Sequence, residues 1–90
     1  MEDTSPLAIA VENDDLEMVE ALLKLGHKPD LGGIIVPLAE AAYKGNEQII
    51  ELLLKHGAKV NEPGEEGETA VMLAAGAGRL AILKRLIKAK

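Results

Sequence analysis

Residues 41–61 read Ala41-Ala42-Tyr43-Lys44-Gly45-Asn46-Glu47-Gln48-Ile49-Ile50-Glu51-Leu52-Leu53-Leu54-Lys55-His56-Gly57-Ala58-Lys59-Val60-Asn61. Ile49, Leu52 and Leu53 recur at three- and four-residue spacing with charged residues filling the other face, the pattern of an amphipathic helix. Asn46 stands where such a helix takes a side-chain cap, and Gly57 stands where its end takes a left-handed residue. Just upstream, Pro37-Leu38-Ala39-Glu40-Ala41-Ala42 predicts a second helix whose small residues permit close approach of a neighbour.

The pattern occurs three times. Pro6-Leu7-Ala8-Ile9-Ala10 precedes an apolar stripe of Leu16, Val19, Leu22 and Leu23, and Ala70-Val71-Met72-Leu73-Ala74-Ala75 precedes one of Ile82, Leu83 and Leu86. Pro6 to Pro37 and Gly26 to Gly57 are steps of 31 residues, while Ala41 to Ala74 and Gly45 to Gly78 are steps of 33. The period is therefore about 33 with one two-residue deletion, a length typical of helical repeats. Residues 1–90 read as one all-α domain of three units, about 3–30, 31–61 and 62–90. One helix pair cannot hide its apolar stripe, but stacking three buries a continuous layer between neighbours. Met18 and Met72 are expected in that core, and Ala41, Ala42, Ala74 and Ala75 at the close helix approaches.

The boundary residues agree with the period. Ser5 before Pro6 and Thr69 are expected to cap the first helices of their units, and Asp15 and Asn46 the second helices. Gly26 and Gly57 mark helix ends, and residues 30–33 and 61–67 carry the turn formers of projecting loops. His27 and His56, the only histidines, lie beside those glycines, where the helix dipole favours an imidazolium cap.

These residues resemble the ankyrin repeat family. The match is clearest from Ala41 to Asn61 and continues through Gly67-Glu68-Thr69-Ala70, Leu73-Ala74-Ala75 and Gly78. The resemblance covers almost the whole chain and implies an ankyrin-type helix-turn-helix solenoid with projecting loops. Two departures stand out. The histidine that the family carries after Pro-Leu is Ala8, Ala39 and Met72 here, which removes its usual hydrogen bonds between loops. Val36 replaces the usual threonine and leaves the helix at Pro37 without a side-chain cap.

The resemblance also implies a binding module that meets its partner with the loop tips and the concave face of the first helices. Carried over by position, the contact residues are Thr4, Glu12 and Asn13 in the first unit, Ile35, Tyr43 and Lys44 in the second, and Glu66, Glu68 and Ala77 in the third. Tyr43, the only aromatic residue, is the strongest candidate, because tyrosine offers large contact area at little rotamer cost. The loop Leu31-Gly32-Gly33-Ile34-Ile35-Val36 is apolar where the family is polar. Either Leu31, Ile34 and Ile35 form an exposed docking patch, or they fold back to fill the gap left by the deletion.

Composition narrows the function classes. Nucleic acid is disfavoured by a net charge of −5 and by the lack of aromatic stacking platforms. The thirds of the chain carry −6, 0 and +1, so one end is acidic and suited to a basic partner or to head-to-tail attraction. The absence of cysteine fits a reducing compartment, cytoplasmic or nuclear, and removes thiolate chemistry. No segment is long and apolar enough to cross a bilayer. Two histidines do not make a zinc site, and Asp14-Asp15 or Glu65-Glu66 are sequence neighbours on turns rather than carboxylates held across a cleft. The expectation is a non-enzyme without metal or cofactor that binds another protein. The alternative is an engineered or structural scaffold, possible as a homodimer, since the chain is nearly all repeat and ends on Lys90 without a polar capping segment.

Overall fold

The computed structural model describes residues 6–29, 36–64 and 66–89. Six helices occur among them: α1 (Pro6–Glu12), α2 (Leu16–Lys24), α3 (Pro37–Lys44), α4 (Glu47–Lys55), α5 (Ala70–Gly76) and α6 (Leu80–Ala89). No strand occurs among the described residues.

Local chemistry sets the helix ends. Asp15, Asn46 and Thr69 each accept the backbone N–H three residues on, at 3.1, 3.0 and 3.3 Å. Val36 takes the extended N-cap conformation of α3 but makes no side-chain cap. Gly26 and Gly57 adopt positive φ just past the ends of α2 and α4. At the latter end His56 Nδ1 lies 3.0 Å from the Leu52 carbonyl, the capping contact expected of it. The Ser5 cap and the turn at 30–33 lie outside the described residues.

Consecutive helices pair as α1–α2, α3–α4 and α5–α6, and the pairs stack in order. The inner layer is α1–α3–α5, with its most extensive contact between α3 and α5; Ala39, Ala41 and Ala42 of α3 and Ala70 and Ala74 of α5 are buried in one shared core. The outer layer is α2–α4–α6. Between the layers Leu7, Val11, Val19, Leu38, Ile49, Ile50, Leu53 and Leu86 are fully buried. Each such side chain stabilises the stack by about 1.5–3 kcal/mol through water exclusion.

The two methionines expected in this core are exposed instead. At ~100° per residue, Met72 points about half a turn away from Ala70 and Ala74, the buried side of α5. Met18 sits at the edge of the α2 stripe formed by Val19, Leu22 and Leu23 and is 48% exposed. Ala75 is also exposed, although Ala42, its counterpart 33 residues earlier, is buried against α5.

Candidate interaction face

The buried arcs of the inner helices leave one face open. On α3 it carries Glu40, Tyr43 and Lys44; Glu40 and Tyr43 are three residues apart and therefore neighbours on the helix surface. Counterparts in the flanking helices extend this into two rows. One runs Ile9, Glu40, Leu73, and the other runs Glu12, Tyr43, Gly76. Adjacent helix axes lie about 8–10 Å apart, so each row crosses the inner layer in a span suited to an extended peptide or one helix of a partner. Tyr43 is 57% exposed at the centre. Gly76 beside it in register has ordinary helical φ, and a Cβ there would meet nothing within 4 Å.

The ends of the inner helices are held by side chains from the next unit. Arg79 Nε–H donates to the Tyr43 carbonyl at 3.3 Å, and its Nη2 donates to the Lys44 carbonyl at 3.2 Å. This satisfies carbonyls that the end of a helix leaves without intrahelical partners. The guanidinium passes over Gly45, whose φ of +85° calls for glycine and where a Cβ would have to push the flexible guanidinium aside. In the preceding unit the same left-handed position is taken by Asp14, with φ of +55°. Asp14 accepts from Asn46 Nδ2 at 3.4 Å and lies 3.9 Å from Lys44 Nζ. On the outer layer, Arg85 forms a two-pronged pair with Glu51, Nε to Oε2 and Nη2 to Oε1, the latter at 2.9 Å. These hydrogen bonds hold the Arg85 guanidinium above its ordinary range, with Coulombic attraction adding and desolvation opposing. A guanidinium held above its ordinary range stays charged throughout the neutral range, so deprotonation of Arg85 does not break the pair there.

The residues singled out from sequence fall as follows. Glu12 and Asn13 are exposed at the end of α1, Tyr43 and Lys44 share the open face of α3, and Ala77 is the half-buried C-cap of α5. Glu66 is exposed and donates its N–H to Glu68 Oε1 at 3.0 Å, within a loop closed by Gly64 N–H to the Glu68 carbonyl at 2.7 Å. Thr4, Leu31, Ile34 and Ile35 lie outside the described residues. Arg79, Glu40 and Gly76 were not singled out. The signal for Arg79 was available, since it takes the position of the cap Asn46 one period later and cannot cap as asparagine does.

Among the described residues, no cluster of histidine, aspartate and glutamate is placed to hold a metal ion, and no helix is long and apolar enough to cross a membrane. A family model for ankyrin repeats in three copies matches residues 7–90. The chain belongs to the ankyrin repeat family. Ankyrin repeats are in general protein-interaction modules and in general non-catalytic. This ankyrin-repeat chain is 36% identical over 87 residues to the human transient receptor potential cation channel subfamily A member 1, covering 93% of the chain and 8% of that protein. It is 39% identical over 82 residues to the human 2-5A-dependent ribonuclease, covering 87% of the chain and 11% of that protein. To the E3 ubiquitin-protein ligase XBAT33 of Arabidopsis thaliana it is 38% identical over 79 residues, covering 81% and 15%. The chain thus spans less than a fifth of each of these relatives. A channel, a ribonuclease and a ligase share this stretch, so its presence specifies none of their activities.

Proposed function

We propose that this ankyrin-repeat chain is a non-catalytic module that binds a protein partner across the open face of its inner helices, with Tyr43 as the anchor. The observation carrying this reading is the exposure of the chain's only aromatic side chain at the centre of that face. An exposed tyrosine brings large contact area with few rotamers to lose on binding, and buried tyrosines dominate interface energetics. Glu12 and Glu40 lie in the rows around it, while Lys44 is paired with Asp14 and Arg79 is committed to backbone carbonyls. The charge left to a partner there is acidic, which suits a basic segment. Asn13, Glu66, Glu68 and Ala77 extend the surface towards the loops, with Thr4, Leu31, Ile34 and Ile35 as further contacts. A reducing compartment, cytoplasmic or nuclear, fits a cysteine-free module. A second reading, a self-associating scaffold, draws on the exposed apolar side chains Met18, Met72 and Ile87.

The test is to select binders from a displayed peptide library against the folded chain and titrate them by calorimetry. Tyr43→Ala is expected to weaken binding about thirtyfold or more, the hot-spot range, without lowering the melting temperature. Selected binders should be enriched in lysine and arginine. Binders that ignore Tyr43→Ala and carry no basic bias would sink the reading.

A further inference from the structure

The outer helices carry one ion-pair position twice, with a single exchange. Between the second and third units, Glu51 of α4 takes the Arg85 guanidinium of α6 in two hydrogen bonds, Nε to Oε2 and Nη2 to Oε1, the latter at 2.9 Å. One repeat earlier, Glu20 of α2 holds the position of Glu51, and Leu52 of α4 holds the position of Arg85. The acid is kept and its arginine is not. Glu20 is left with Lys24 of its own helix, at 3.7 Å and with both side chains well exposed, a contact of the kind that contributes little in water. Glu51 has the same lysine four residues on, Lys55, and pairs with Arg85 instead. The repeat therefore shows in its own geometry which cation such a glutamate takes: the planar fork that matches both carboxylate oxygens, in preference to a lysine on a flexible stem.

Beside Glu20 the surface is hollow. An open groove of about 510 Å³ between α2 and α4 is lined by Leu16, Glu20, Gln48, Glu51, Leu52 and Lys55. Leu16 and Leu52 are half-buried there, which gives the groove an apolar floor beside an exposed acid. We propose that this groove binds an arginine side chain of a partner protein, with its methylene stem on Leu16 and Leu52 and its guanidinium forked onto Glu20 as Arg85 is forked onto Glu51. Gln48 at the rim offers a side-chain carbonyl to a further N–H of the guanidinium. Lys55 lines the groove as well, but its counterpart Lys88 lines the groove that holds the Glu51–Arg85 pair, so a lysine at this position does not exclude an arginine. Exposed Glu17 and the −6 charge of the first third favour a cationic visitor at this end of the molecule. The groove lies between outer helices and Tyr43 on an inner one, so the two surfaces can be occupied together.

Arginine-centred heptapeptides displayed on phage, depleted on the Glu20→Gln chain and then selected on the 90-residue chain, test this directly. The survivors, titrated by calorimetry, are expected to lose about tenfold in affinity when their arginine is replaced by lysine, the weight of one hydrogen bond to a charged group. They should bind the Tyr43→Ala chain unchanged. Leu52→Arg supplies the chain's own arginine to Glu20 and is expected to abolish binding. Glu20→Lys does the same from an exposed position without touching the groove floor, and helical circular dichroism confirms that both variant chains are folded. An empty selection, indifference to the lysine replacement, binding retained by folded Glu20→Lys, or binding lost with Tyr43→Ala overturns the proposal.

Discussion

Arg79 reaches back 36 residues to donate to the carbonyl of Tyr43, so the third unit is fastened to the helix that displays the chain's only aromatic side chain. A Cβ at Gly45 would have to push the same guanidinium aside, its nearest side-chain atoms lying 2.9 Å from that position.

Arg79→Ala is expected to cost about 1 kcal/mol through lost hydrogen bonds. Gly45→Ala costs more, since left-handed backbone adds roughly 1–2 kcal/mol and the new methyl displaces the guanidinium. In the Arg79→Ala background the Gly45→Ala penalty should shrink to its backbone part. A double-mutant cycle by urea denaturation measures the difference, and strict additivity would show that the two residues do not share this contact.

Asp14 holds with an aspartate the left-handed position that Gly45 and Gly78 hold with glycine. Asp14→Gly and Asp14→Ala both lose the contacts to Asn46 and Lys44, and only alanine bears the strain. The alanine variant should therefore be less stable than the glycine variant by about 1 kcal/mol, read as a lower urea midpoint at equal slope.

Val36 caps α3 with no side-chain oxygen, in an extended conformation that a capping residue adopts. Val36→Thr keeps most of the apolar body and supplies the missing acceptor, and is expected to stabilise the chain by about 0.5–1 kcal/mol. A midpoint that fails to rise would mean that the hydroxyl finds no backbone N–H there.

Leu53 is fully buried and Met72 is exposed, although both lie on predicted apolar helix faces. Leu53→Ala should cost about 2–5 kcal/mol, a large part of the stability of so small a domain. Met72→Ala should stay within ~0.5 kcal/mol. Comparable losses at the two sites would contradict the packing described for α5.

The contrast between Leu53 and Met72 marks what the sequence makes legible. Asp15, Asn46 and Thr69 were readable as caps because capping is decided within three residues, and the repeat was readable because its glycines keep register. The exposures of Met18 and Met72 were not, because an apolar residue on a unit's flank is buried only if another unit covers it. The interaction face was readable at Tyr43 and Lys44 but not at Arg79, whose partners lie more than thirty residues away and leave no local pattern.

The two junctions between units are fastened differently. Arg79 ties the third unit to two backbone carbonyls at the end of α3 and Arg85 pairs with Glu51 across the outer layer, whereas between the first and second units Asp14 meets Asn46 and Lys44 and the helices pack in both layers, α1 on α3 and α2 on α4. Arg79 thus fixes the helix end that carries Tyr43 before any ligand arrives, and little of a ligand's binding energy goes into ordering the backbone beneath its anchor.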